Sequence, residues 1–170
     1  MTKSLACRAA ALIALLHGFA TLGAAQEDSA SPTPEQMLRI TAARLAIDRM
    51  IELERKFDPA CADIYLDDAQ ITIVRRYRDG ETRQFKTSGE KIKQATKAAM
   101  PAARLRGDVS EYTELESEIT KDGVRIKVKR FAKLKNATTR IQWQLMPDED
   151  GHWRIQEERV ELSGLPKSGK

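Results

Sequence analysis

The sequence predicts an α+β domain, with helices grouped against one face of a curved antiparallel sheet. Three observations lead there. A capped segment with helical periodicity opens the domain at Thr33. Alternating apolar and polar segments fill most of the chain after Tyr65. Asp79-Gly80 and Asp122-Gly123 supply hairpin turns between those segments, and a second helix start stands at Ser88.

The chain has 170 residues, and residues 1–25 are set apart from the domain. Lys3 and Arg8 give a basic start, an apolar run extends from Ala9 through Phe19 and Leu22, and Gly23-Ala24-Ala25 precedes polar Gln26-Glu27-Asp28. That is the order of a cleavable secretory signal. The apolar run, broken by His17 and Gly18, is short of the about 20 residues that span a bilayer. Cleavage near Ala25 would deliver a bacterial protein to the periplasm or the medium. Retention would instead tether it to a membrane. Cys7 stands too early for a lipid-attachment cysteine.

Loss of Lys3 and Arg8 lowers the 29 basic residues to 27, against 25 acids. Such a balance offers no steering field for polyanions, and with few aromatics it argues against nucleic acid as a partner. Cys61 becomes the one cysteine after cleavage, so no internal disulfide can form, and it reads as a small buried hydrophobe.

Residues 26–32 read as a flexible leader, 33–163 as the domain and 164–170 as a polar tail. Thr33 is the expected N-cap of the first helix, with Pro34 at N1 and Gln36 at N3, a capping-box spacing. Met37, Ile40, Ala43, Ile47, Met50, Ile51 and Phe57 share one arc up to about Lys56, and Asp58-Pro59 stops the helix. Leu38, Leu45 and Leu53 fall outside that arc. Ile71 to Val74 is β-branched, and Glu81 to Lys86 returns after Asp79-Gly80. Ser88 opens the second helix, which Pro101 should kink or end.

With Asp122-Gly123 as a two-residue turn, Glu118 falls opposite Lys127 and Glu116 opposite Lys129. One face of this hairpin is then ionic and wet, while Leu115, Ile119, Ile126 and Val128 line the other. Arg130 occupies the next apolar position and Phe131 takes over, which predicts a β-bulge near Lys129–Phe131. Thr138–Met146 and His152–Leu162 give the last two strands, joined by Asp148-Glu149-Asp150-Gly151.

Three motifs in order resemble the nuclear transport factor 2-like superfamily, which includes SnoaL-like and ketosteroid-isomerase-like cone folds. They are Tyr65-Leu66-Asp67-Asp68-Ala69, Ser88-Gly89-Glu90-Lys91-Ile92 and Gly151-His152-Trp153-Arg154-Ile155. The resemblance spans Thr33 to Leu162. It implies a cystatin-like cone, with helices closed by a strongly curved sheet around a cavity. It does not imply an activity.

Ketosteroid isomerases of this superfamily carry their base four residues beyond the motif alanine. Ile73 stands there and cannot take a proton. His152, the one histidine after the leader, lies in a turn. One cysteine and one histidine fall short of a structural zinc site, and no phosphate loop or nucleophilic triad is present. No catalytic set, metal or cofactor is therefore assigned.

Tyr65, Ile73, Leu115, Arg130, Trp143, Trp153 and Ile155 are the candidates for lining the cone, with Arg130 suited to an anionic head group. The leading expectation is an exported, non-enzymatic domain that binds a small, partly apolar ligand or a protein. Homodimer formation is compatible with the fold. One alternative is a SnoaL-like or isomerase-like enzyme using Tyr65 with Asp63 or Glu157. It requires a carboxyl of raised pKa in an enclosed site. The other is a periplasmic secretion-system-like assembly subunit, tethered by an uncleaved leader.

Overall fold

The computed structural model describes residues 31–165. The expected signal at residues 1–25 with its Cys7, residues 26–30 and the tail from 166 lie outside the described residues. Among the described residues no helix is long and apolar enough to cross a membrane.

Helix α1 spans Pro34–Arg55 and begins with the expected capping box. The Thr33 hydroxyl accepts from the Gln36 N–H, and the Gln36 side chain accepts from the Thr33 N–H. Ala43, Ile47, Met50 and Ile51 are its buried face. Leu53 packs against the core, whereas Leu38 and Leu45 are exposed. A 3₁₀ turn, Pro59–Ile64, leads into β1, Tyr65–Tyr77, and then β2, Thr82–Ser88. Helix α2, Gly89–Arg106, is capped by Ser88 and stopped by Gly107 in the left-handed region at φ 61°. It runs through Pro101, so of the two expected effects, a kink or an end, the proline does not end it. A proline removes one backbone bond, but Met100 beside it is buried against the core, and Gly107 supplies the real terminus.

Strands β3 (Ser110–Ile119), β4 (Val124–Ala132), β5 (Ala137–Pro147) and β6 (Trp153–Leu165) follow. The six strands form one sheet in the order β2-β1-β6-β5-β4-β3. Every pairing is antiparallel except β1 with β6, which run parallel because the first and last strands meet in mid-sheet. Helix α1 packs on β3, β4 and β6, and α2 packs on β1 and β2. Val124, Ile126, Trp143, Leu145 and Ile155 project from the sheet into the core beneath α1.

The β3–β4 hairpin keeps its expected faces but slips by two residues. Ile119 faces Val124, Glu118 faces Arg125 and Glu116 faces Lys127. Thr120 sets this register: its backbone N–H donates to the Gly123 carbonyl, and its hydroxyl accepts from the Gly123 N–H. A slip of two preserves parity, so the ionic side stays outside.

The expected bulge exists, but on the partner strand. The register breaks between Thr113 and Glu116 on β3, where Glu114 has φ 55°, while β4 pairs with β5 without interruption. Strand β4 therefore keeps one phase from Val124 to Arg130. Arg130 follows Val128 to the inner face instead of leaving it.

Candidate functional site

Arg130 is the first charged group on the inner wall. Its guanidinium donates to Glu54 Oε1 at 2.8 Å and to Ser110 Oγ at 2.9 Å. The Tyr112 hydroxyl donates to Glu54 Oε2, and Arg130 also lies over the Tyr112 ring, 5.9 Å from its centre. Glu54 reaches this point because it continues the buried face of α1, seven residues after Ile47 and three after Ile51. Burial opposes the Arg130 charge, but the net shift is upward, with the Glu54 carboxylate beside it, and the guanidinium stays protonated.

A second acid stands deeper. Glu158 is buried, and its Oε1 accepts from the Trp143 indole N–H at 3.0 Å. The Tyr65 hydroxyl also acts on this carboxyl, favouring its charged form. Desolvation raises the Glu158 pKa above its ordinary value, against the opposing pull of Trp143, Tyr65 and Arg130. Burial likewise drives the Tyr65 and Tyr112 hydroxyls upward, so both stay protonated donors. The Tyr112 and Trp143 rings are 6.3 Å apart and tilted by 35°.

These groups line a cavity of about 300 Å³ between α1, α2 and the sheet. Met50, Phe57, Ala99 and Met100 give it an apolar side, and Arg106 and Lys135 also border it. Cys61 lies at its edge, buried, with its thiol pushed up to about 11 mainly by desolvation. Such a thiol stays neutral and inert, as expected of a small hydrophobe.

Of the seven sequence candidates, Tyr65, Arg130 and Trp143 line this cavity. Ile155 is fully buried core, and Leu115 packs against the core without reaching the cavity. Trp153 borders a separate groove between α1 and the β5–β6 turn, with Ala42, Ala46 and Ile64. Ile73 is half-buried on β1 and outside the lining. Arg130 is no free cation for an anionic head group, because Glu54 already neutralises it.

The two acids proposed with Tyr65 are surface groups. Asp63 pairs with Lys97 at 2.6 Å, and Glu157 is exposed. The buried acid is the neighbour, Glu158. Strand β6 carries a bulge at Gln156, since Leu145 pairs with Ile155 but Gln144 pairs with Glu157. This moves the inward phase by one residue. The signal was in the sequence: Trp153 and Ile155 share one parity, Val160 and Leu162 the other, and Glu158 falls in the second. Glu54 was equally readable as a charge at a core-facing position of α1.

The remaining polar motifs are surface features. Asp67 pairs with Lys93, Glu114 with Lys129, and Glu118 with Arg125 and Lys127. His152 is exposed beside Asp148, whose carboxylate accepts the Asp150 and His152 N–H groups and binds Arg154 at 2.9 Å.

No family model matches the chain, and no curated protein matches it. Solved structures do. An NTF2-like protein with a cystatin-like fold from Novosphingobium aromaticivorans is 14% identical, with a TM-score of 0.53 over 79% of this chain and 87% of that one. A protein of unknown function from Pectobacterium atrosepticum is 18% identical, with a TM-score of 0.54 over 78% and 98%. Nuclear transport factor 2 from Cryptosporidium parvum is 12% identical, with a TM-score of 0.51 over 78% and 98%. At these identities the likeness establishes the fold: this is a nuclear transport factor 2-like, cystatin-like cone.

Proposed function

We propose that the chain is an exported domain that binds a small, partly apolar ligand in its cone. The observation that carries this reading is the convergence of Glu158, Tyr65 and Trp143 on the floor of a cavity with an apolar side. A few placed polar groups among apolar walls is the usual make-up of a small-molecule site. With Arg130 neutralised by Glu54, the floor recognises a neutral hydrogen-bonding group, a hydroxyl or a carbonyl, on an apolar body. The leader signal supports the exported location.

Native mass spectrometry of protein purified from its own envelope tests this. A reproducible bound mass, lost in Glu158→Gln combined with Tyr65→Phe, is the expected result. A protein that is empty under gentle isolation, with no change in the double variant, overturns it.

A second reading has one specific observation in its favour. Glu158 is an enclosed carboxyl with a raised pKa, the feature that an acid–base enzyme requires. Isomerase chemistry of the ketosteroid type finds no base at Ile73, so an enzyme here would work through Glu158. Once the bound molecule is known, Glu158→Gln separates the readings. Retained binding with lost conversion marks an enzyme; wild-type protein that returns the ligand unchanged marks a binding module.

A further inference from the structure

Two of the exposed apolar side chains differ from the others. Leu105, near the end of α2, is 90% exposed, and Leu134, in the short 3₁₀ turn Lys133–Lys135, is 55% exposed. Each stands between two basic residues, as Arg104-Leu105-Arg106 and Lys133-Leu134-Lys135. Met37, Leu38, Leu45 and Phe85, the other exposed large apolar residues, lack that arrangement.

The two tripeptides belong to the same end of the domain. The Lys133 N–H donates to the Val109 carbonyl, which ties the turn to the segment leaving α2. Arg106 and Lys135 both border the cavity of the candidate site. Leu105 and Leu134 adjoin these two bases in the chain, and Leu105 borders a neighbouring groove with Lys56, Pro59 and Pro101. All four bases are exposed. Two acids answer them, Glu111 at 2.7 Å from Lys133 and Asp108 at 3.8 Å from Arg106, so the rim keeps a positive excess.

We propose that this rim docks on an anionic lipid surface, with Leu105 and Leu134 entering the boundary between headgroups and acyl chains. Isolated leucines flanked by bases suit that boundary, where the bases meet lipid phosphates and the apolar tips leave water. A phosphate-bearing polymer would have no use for the leucines. A protein groove would require a continuous apolar stripe, and these tips sit on two separate elements. The near-balanced charge of the whole chain does not oppose this, because the basic excess is local. Docking in this pose brings the Arg106 and Lys135 side of the cavity towards the bilayer.

Flotation of the purified protein with vesicles provides the test. Vesicles of phosphatidylcholine containing phosphatidylglycerol should carry the protein with them, and pure phosphatidylcholine vesicles should not. Added salt should weaken the binding, whereas soluble inorganic phosphate at matched ionic strength should not compete. Leu105→Ser with Leu134→Ser should reduce binding roughly tenfold or more. Both side chains are exposed, so the variant should keep its melting temperature. It also shares its N-terminus with the wild type, so a retained leader cannot produce the difference. Equal binding to both vesicle types overturns the proposal, as does binding that survives the double substitution. Capture on an immobilised polyanion without capture on vesicles overturns it in favour of a soluble acidic partner.

Discussion

Glu158 gives the molecule a pH response opposite to that of an ordinary ion-paired carboxylate. Its folded-state pKa lies above its ordinary value of 4.5, so between the two values the folded state holds a proton that the unfolded chain has released. Stability from this group is therefore fully present below the unfolded value and is lost as pH rises towards the folded one. Glu158→Gln removes the dependence while keeping an acceptor for the Trp143 N–H. Urea denaturation of both proteins from acidic to neutral pH should show the wild type losing ground to the variant as pH rises. Parallel curves would show that Glu158 does not titrate as its burial requires. The Glu54–Arg130 pair behaves differently, because removing one member leaves the other's charge without its counter-ion. Arg130→Ala strands a carboxylate that is largely shielded from solvent, and this half-open pair should cost about 1–3 kcal/mol. Glu54→Gln with Arg130→Met should recover part of that loss. Additive losses in the double variant would show that the two residues act independently.

Gly89 shows why a residue that looks merely permissive in the sequence is required by the fold. It is the first residue of α2, and a Cβ there would stand 1.8 Å from the Leu66 carbonyl oxygen and 2.9 Å from Ala69 Cβ. The helix start and the motif strand Tyr65–Ala69 thus touch backbone to backbone. Gly89→Ala should destabilise the domain by about 1–3 kcal/mol, read by chemical denaturation. At Gly80, φ 87° leaves open space around the Cβ position, so Ala is expected to cost about 1 kcal/mol through backbone strain alone. A reversed order would contradict the packing described here. The same elements show what a sequence discloses. The helix α1 start was readable because capping chemistry is local to Thr33, Pro34 and Gln36. The faces of β3 and β4 were readable because parity survives a two-residue slip. The register itself was not, since it depends on Thr120 closing the turn upon Gly123. The bulge at Glu114 is legible as a change of phase but not as to its strand, which depends on the pairing of β3 with β4, and the one at Gln156 shows only in the parity change between Ile155 and Val160. A single phase along β6 would turn Glu157 inward, and the bulge turns Glu158 inward instead.

At the scale of the whole molecule, the cone was legible because three short motifs keep their order across the domain. Its contents were less so: pocket membership depends on how α1 and α2 lie over the sheet, and that geometry separates Tyr65 and Trp143 from Ile155 and Trp153. The arrangement makes occupancy a property of the entire fold. The cavity walls come from α1, α2, β1, β3, β4, β5 and β6, so a ligand there binds the native state and has no site in the unfolded chain. With the proposed ligand in place, gently isolated protein should therefore melt higher than the same protein unfolded, washed and refolded without it. At a ligand excess of one hundred times Kd the difference amounts to about 2.7 kcal/mol, which moves the midpoint of a domain this size by several degrees. Returning the extracted small molecules to the refolded protein should restore the higher midpoint. In Glu158→Gln with Tyr65→Phe the two preparations should melt together, since the floor that distinguishes them is gone. If wild-type protein melts at one temperature by either route, with full recovery of native structure, the cone is empty in the cell and its polar floor serves the fold alone.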